Sequence, residues 1–221
     1  MIAQTEIGNK SDRRKKENIM AEDLLKYFIF RDKRLKGKLS YASLAILSEL
    51  DEDTSVTTAF GRLYLQAKNQ GKINTLFILC HGYVNDFDQG GLGLELGKED
   101  LTINNVIKWA ALKELVDTIV VCACSAAYTG HSMLQPWIVQ DGQALMSSLS
   151  KITGATVYAA DRLQTYFTND FNFGKWEGTV YTFWPDGKTY AGALPETEII
   201  DVISPMPYGT YYGDVIDRRN R

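Results

Sequence analysis

Two apolar, β-branched runs constrain this chain more than anything else in it. Residues 75–82 read Thr-Leu-Phe-Ile-Leu-Cys-His-Gly, and residues 117–125 read Asp-Thr-Ile-Val-Val-Cys-Ala-Cys-Ser. Continuous runs of this length, closed by turn-forming residues, are the pattern of strands buried on both faces. Between them, Gly90, Gly91, Gly93 and Gly97 mark a hairpin. After Leu101 and Thr102, the residues Val106, Ile107, Ala110, Ala111 and Leu115 recur at helical spacing, which predicts a helix. Strand, hairpin, helix and strand make a crossover unit, so the two runs are predicted to be parallel neighbours in one sheet. Ligand and catalytic groups of open parallel sheets sit at the carboxyl ends of the strands. The first run stops at His81 and the second at Cys124, 43 residues later. Two side chains capable of acid-base and nucleophilic chemistry are thus predicted on one sheet edge.

The remaining elements follow in chain order. Residues 1–18 are polar and charged and predict a flexible tail, with a single domain over 19–221. Residues 21–30 carry Leu24, Leu25, Phe28 and Ile29 behind an acidic Glu22-Asp23 turn, which suits a helix. Residues 44–50 suit either element at this length, and a strand is preferred. Residues 57–69 predict a helix with Phe60, Leu63, Tyr64 and Ala67 on one face and Gly71 as its stop. Residues 126–140 read as irregular, 142–152 as a helix and 155–160 as a further buried strand. Alternation through residues 171–184, then Pro185-Asp186-Gly187 and residues 188–190, predicts an antiparallel hairpin added to the sheet. Residues 199–203 are a short apolar run, and 205–221 are expected to be loosely ordered.

Composition excludes several classes of function. A net charge of −3 and a pI near 5.5 speak against broad nucleic-acid binding, which needs a concentrated basic surface. No stretch approaches membrane-spanning length, and no metal-ligand cluster or phosphate-binding loop stands out, so no cofactor and no membrane partner is expected. The three cysteines, at 80, 122 and 124, cannot all pair, which favours a reducing, cytoplasmic setting.

Within the second run, Cys122 lies inside the apolar stretch while Cys124 sits at its end, where a turn can expose it. Cys124 is therefore the candidate nucleophile, and Cys122 and Cys80 are candidate core residues, although burial in the core also suits Cys124. Ser125 either orients the site or caps the next turn. The chain has only two histidines, and His131 lies in an apparent loop just after the cysteine, so His81 is the favoured base. Gly82 lets backbone approach a reacting carbonyl and aim an N–H at a developing oxyanion, or is an ordinary turn glycine. Asp161, just past the strand over 155–160, and Asp86, in the loop after His81, are candidates for selecting a basic substrate side chain; either also suits a solvated loop charge. Tyr128 and Trp137 are candidates for a substrate pocket or for local packing.

His81-Gly82 after one strand and Ala123-Cys124-Ser125 after the next resemble the His-Gly and Cys boxes of the caspase-like cysteine peptidases. That group, clan CD, includes caspases, metacaspases, separase, clostripain, gingipains and the bacterial CHAT domains. The chain is most similar to CHAT-like members, whose second box runs from Asp through aliphatics and a small residue to Ala-Cys, as residues 117–124 do. The resemblance covers roughly residues 74–161. It implies an α/β fold: a caspase-like three-layer sandwich with a mostly parallel central sheet and, from the sequence, a C-terminal antiparallel hairpin. It implies a cysteine endopeptidase in which Cys124 attacks the scissile carbonyl through an acyl-enzyme and His81 is general acid and base. The oxyanion donors carry over to the backbone N–H groups of Gly82 and Cys124, and no third orienting acid is required. The implied partner is a protein or peptide substrate, with room for an activating partner. Metacaspases carry an acid two residues before the nucleophile, where this chain has Cys122, which weakens any transfer of basic specificity.

Two other classes compete. Residues 78–82 also resemble the His-Gly oxyanion segment of α/β-hydrolase esterases, but that fold needs a nucleophile elbow and a late histidine, and the chain has neither. A catalytically silent caspase-like binding module would keep the fold and lose the chemistry.

Overall fold

Phe28, Ile29 and Phe30 are each 2% exposed or less, and alternate residues enter two different cores, as only a strand buried on both faces allows. They lie in β1 (Tyr27–Asp32) of the computed structural model, which describes residues 26–36, 39, 45–83, 90–131, 137, 139–164, 166–167, 172–173, 176–192, 195 and 202–203. The helix expected over 21–30 is thereby corrected from Tyr27 onward. A short apolar run does not distinguish the two periods, and pairing with strands on both sides decides for the strand. The expected tail over 1–18 and the C-terminal stretch over 205–221 lie outside the described residues.

β2 (Ala45–Leu50) pairs parallel with β1, as the strand preference required. α1 (Val56–Gln70) follows; the Ser55 hydroxyl accepts the Thr58 N–H at 3.1 Å to cap its start, and Gly71 ends it. Its buried face is Ala59, Phe60, Leu63 and Ala67, whereas Tyr64 is exposed. β3 (Ile73–Leu79) then enters the sheet, and β4 (His81–Gly82) leaves it to form a small antiparallel sheet with β5 (Gly93–Glu95) and β6 (Leu101–Thr102).

The helix expected after Leu101 is corrected to a 3-10 helix, Val106–Leu112. Its buried residues, Val106, Trp109 and Leu112, recur every third position, the 3-10 period, and leave Ile107, Ala110 and Ala111 exposed. Asn105 competes with an α-helical start, since its Oδ1 accepts the Thr102 N–H and its Nδ2 donates to the Glu99 carbonyl. Trp109, 1% exposed, packs edge-on to Phe60 at 5.0 Å and joins this helix to α1.

β7 (Val116–Cys122) pairs parallel with β3, as the crossover predicted. The stretch expected to be irregular contains a two-stranded pair, β8 (Thr129–His131) and β9 (Val139–Asp141). α2 (Gly142–Thr153) leads into β10 (Thr156–Ala160), parallel to β7. β11 (Tyr166–Phe167) and β12 (Asn172–Phe173) pair with each other. β13 (Val180–Phe183) and β14 (Thr189–Ala191) add the expected antiparallel hairpin beside β10, its first arm corrected from 171–184 to a start at Val180, since residues 176–179 are not strand.

The fold is thus mixed α/β around a seven-stranded sheet of order β14-β13-β10-β7-β3-β1-β2, five strands of it parallel. This arrangement is consistent with the expected caspase-like sandwich. One face (Phe28, Phe30, Leu76, Ile78, Ile119, Val121) carries α1, the 3-10 helix and α2. Each fully buried large side chain there contributes about 1.5–3 kcal/mol of transfer free energy. The other face (Ile29, Phe77, Leu79, Val120, Cys122) is covered, among the described residues, by Leu35, Leu39, Trp176, Val202 and Ile203. No helix among the described residues is long and apolar enough to cross a membrane.

Candidate active site

Register brings the strand ends together. Arg31 pairs with Leu79, Leu79 with Cys122, and Ala159 with Val121, so β1, β3, β7 and β10 finish at one edge of the sheet. His81 and Gly82 leave that edge from β3, Cys124 and Ser125 from β7, and Asp161 from β10.

The closest approach is between backbones. A Cβ on Gly82 would lie 1.9 Å from the Cys124 carbonyl oxygen and 3.0 Å from its carbonyl carbon. Only a residue without a side chain permits this contact, so Gly82 is more than a turn residue. Its φ is not positive, and the demand is therefore one of space. In the β4–β5 ladder the Tyr83 N–H donates to the Gly93 carbonyl at 3.0 Å. Alternation of hydrogen-bonded and non-bonded pairs then directs the Gly82 N–H away from β5. His81 is exposed, with Glu95 directly across the ladder from it.

Cys124 is partly buried, whereas Cys80 and Cys122 are sealed in the core, as their places in the sequence predicted. All three are thiols rather than disulfides. The Cys124 sulfur is bracketed by one residue, Gln164. The Gln164 N–H donates to Sγ at 3.4 Å, and the thiol donates to the Gln164 carbonyl at 3.7 Å. Burial pushes the Cys124 thiol above its ordinary pKa, and the Glu177 carboxylate adds to this; the N–H groups of Gln164 and of Cys124 itself oppose it. Burial thus favours the neutral thiol over the thiolate at Cys124. Burial raises Cys80 and Cys122 much further.

Ser125 is a turn residue, with φ of 50° and 3% exposure, and its N–H donates to the Arg162 carbonyl at 2.7 Å. Gly90, with φ of 119°, passes so close that a Cβ there would meet the Ser125 Cβ at 2.3 Å. The Asp161 carboxylate accepts the Thr179 N–H at 2.8 Å and so ties β10's end to the segment before β13. Asp86 lies outside the described residues. His131 is exposed in β8, which pairs with β9 outside the seven-stranded sheet. The Tyr128 ring lies over Gly130 of its own hairpin, which is local packing, and Trp137 is 77% exposed.

A partly buried ionic network holds the His81 hairpin. Asp32, 0% exposed at the end of β1, accepts from Arg34 Nε at 2.8 Å and from the Gly97 N–H at 2.7 Å. Burial works against its charge, yet these bonds hold its carboxyl below the usual range. Arg34 reaches on to Asp100 at 3.1 Å, and Asp100 accepts the Tyr83 hydroxyl next to Gly82. Neither this network nor Gln164 was expected from the sequence. The one available signal was an Asp at the end of an apolar run, which the helix assignment over 21–30 concealed. Among the described residues no group of three or more His, Cys, Asp or Glu side chains could hold a metal ion.

No protein-family model matches the sequence, and no curated protein matches it either.

Proposed function

We propose that the chain is a cysteine endopeptidase with Cys124 as nucleophile and His81 as general acid and base. The observation that carries this reading is the backbone contact of Gly82 with Cys124, which sets a His-Gly strand end against a Cys strand end on one sheet edge. Supporting it are the exposure of His81 and the partial burial of Cys124 beside two fully buried thiols.

Because the resting thiol is protonated, attack begins with transfer of the Sγ proton to His81 as sulfur bonds to the scissile carbonyl carbon. The carbonyl oxygen becomes an oxyanion, for which the N–H groups of Gly82 and Cys124 are the donors. Collapse breaks the C–N bond, and His81 returns the proton to the leaving amine. A water then attacks the thioester, giving one proton to His81 while the thiolate leaves, and that proton restores the thiol. Asp161 and Asp86 are the residues for selecting a basic side chain before the cleaved bond. The substrate is a protein or peptide, an activating partner is compatible with the neutral resting thiol, and three thiols suit the cytoplasm.

A fluorogenic peptide library, varied at the residue before the scissile bond, tests this on wild type, Cys124→Ala and His81→Ala. Cleavage after one residue type, reduced to background in both variants, is the expected result. No wild-type turnover, with Cys124 no faster than a free thiol toward iodoacetamide, would overturn it in favour of a silent binding module.

A further inference from the structure

Gln164 is a polar residue only 6% exposed, in a loop next to the reacting edge, and nearly every hydrogen-bonding group it has is used. Its Nε2 donates to the Arg162 carbonyl at 2.8 Å and to the Glu177 carbonyl at 2.9 Å, and its Oε1 accepts the Glu177 N–H at 3.2 Å. Both amide protons and one oxygen site are therefore satisfied, the condition under which a buried amide rigidifies its surroundings. The side chain staples two segments, 161–164 and 176–178, which are also joined where Asp161 accepts the Thr179 N–H. The first of these is tied to the nucleophile's turn through the bond from the Ser125 N–H to the Arg162 carbonyl. From this fixed platform the Gln164 backbone meets the Cys124 sulfur twice, as donor at 3.4 Å and as acceptor at 3.7 Å.

We infer that Gln164 is the positioning residue of the nucleophile, its side chain clamping the two segments into a wall from which its own backbone brackets the Cys124 sulfur. The inference rests on the peptidase reading for its catalytic meaning, but the clamp itself is a property of the thiol. The acceptor carbonyl stabilises the thiol and the donor N–H stabilises the thiolate, so one residue contacts sulfur in both protonation states. The same wall keeps water from the sulfur on that side. Loss of the side-chain staple therefore affects ionisation and aim together, without touching the sulfur directly.

The test compares full-length wild type with Gln164→Met, which keeps the volume and loses the three side-chain bonds, and with Gln164→Asn, which keeps the amide but shortens its reach. Iodoacetamide labelling is followed from pH 6 to 10 with mass spectrometry reporting which cysteine reacts, and kcat and KM are measured on the best library peptide. In Gln164→Met, labelling of Cys124 alone at pH 7.5 is expected to rise about fivefold, the ratio set by one net hydrogen bond, with its pH profile displaced downward as the thiol gains water. Over the same change kcat is expected to fall about tenfold and KM to move less, since aim rather than substrate contact is lost. Gln164→Asn should fall between. A profile and kcat superimposable on wild type in a folded variant would overturn the inference. Should Gln164→Met label all three cysteines, it has unfolded, and Gln164→Asn decides. If wild type turns over no peptide, the peptidase reading falls while the labelling profile still decides the clamp. If wild type is active and the profiles coincide, the clamp alone falls.

Discussion

Gly82→Ala is the sharpest probe of the site, because it adds one methyl group where two backbones meet. The new Cβ would stand 1.9 Å from the Cys124 carbonyl oxygen and 3.0 Å from its carbon. An ordinary carbon–oxygen contact needs roughly 3.3 Å or more, so β4 and the Cys124 turn must part by about 1.4 Å. No flexible side chain is there to yield; the opposing atoms are backbone. Overpacking of this kind costs about 1–3 kcal/mol, which for a chain of this size lowers Tm by about 2–12 °C. On the proposed peptidase reading, a displacement of this size at Cys124 costs about 100-fold in turnover, more than the stability loss alone would remove at 25 °C. The assay pairs peptide turnover under kcat/KM conditions with a thermal melt of the same preparation. A folded Gly82→Ala protein with wild-type Tm and wild-type kcat/KM would refute the reasoning, since it would mean that the two strand ends do not touch.

Other predictions follow from the ionisable groups. Asp32→Asn removes the buried carboxylate that accepts from Arg34 and Gly97, leaving Arg34 its partly exposed partner Asp100, and should destabilise the protein by about 1–3 kcal/mol in urea melts. Because the Asp32 carboxyl is held below the ordinary range when folded, its contribution is present above about pH 4 and lost as pH falls through the folded value; the variant should lack this part of the acid limb. Cys80 and Cys122 are pushed well above the ordinary thiol range by burial, so the unfolded chain loses these protons first. Stability should therefore fall as pH rises beyond about 8.5, by up to about 1.4 kcal/mol per unit for each thiol, and urea melts of Cys122→Ala should show a shallower alkaline decline. Trp109→Ala removes the ring that joins the 3-10 helix to α1 and should cost about 3–5 kcal/mol, read in the same way.

Much of this architecture was legible in the residues because its signals are local. Continuous apolar runs give interior parallel strands wherever they occur, and the length between β3 and β7 forces a crossover, so their pairing and the shared edge of His81 and Cys124 followed from spacing. The same local logic gave α1, α2, β10 and the β13–β14 hairpin, and placed Cys80 and Cys122 in the core. It failed where two periods fit one short segment. Residues 27–32 carry aromatics that suit a helix face as well as a strand, and only pairing with β2 and β3 decides between them. Val106, Trp109 and Leu112 suit a 3-10 turn once Asn105 has claimed the backbone groups at its start.

What tertiary structure alone decided are contacts between residues far apart in the chain. Asp32 bonds Gly97 across 65 positions, and Gln164 reaches Cys124 across 40, with no periodicity or motif to announce either. The place of Cys124 just past a strand end belongs to the sequence, since burial and strand termination are written in the run itself. The ionisation and aim of its sulfur belong to the fold, because electrostatics and desolvation depend on distances through space that a linear pattern does not encode.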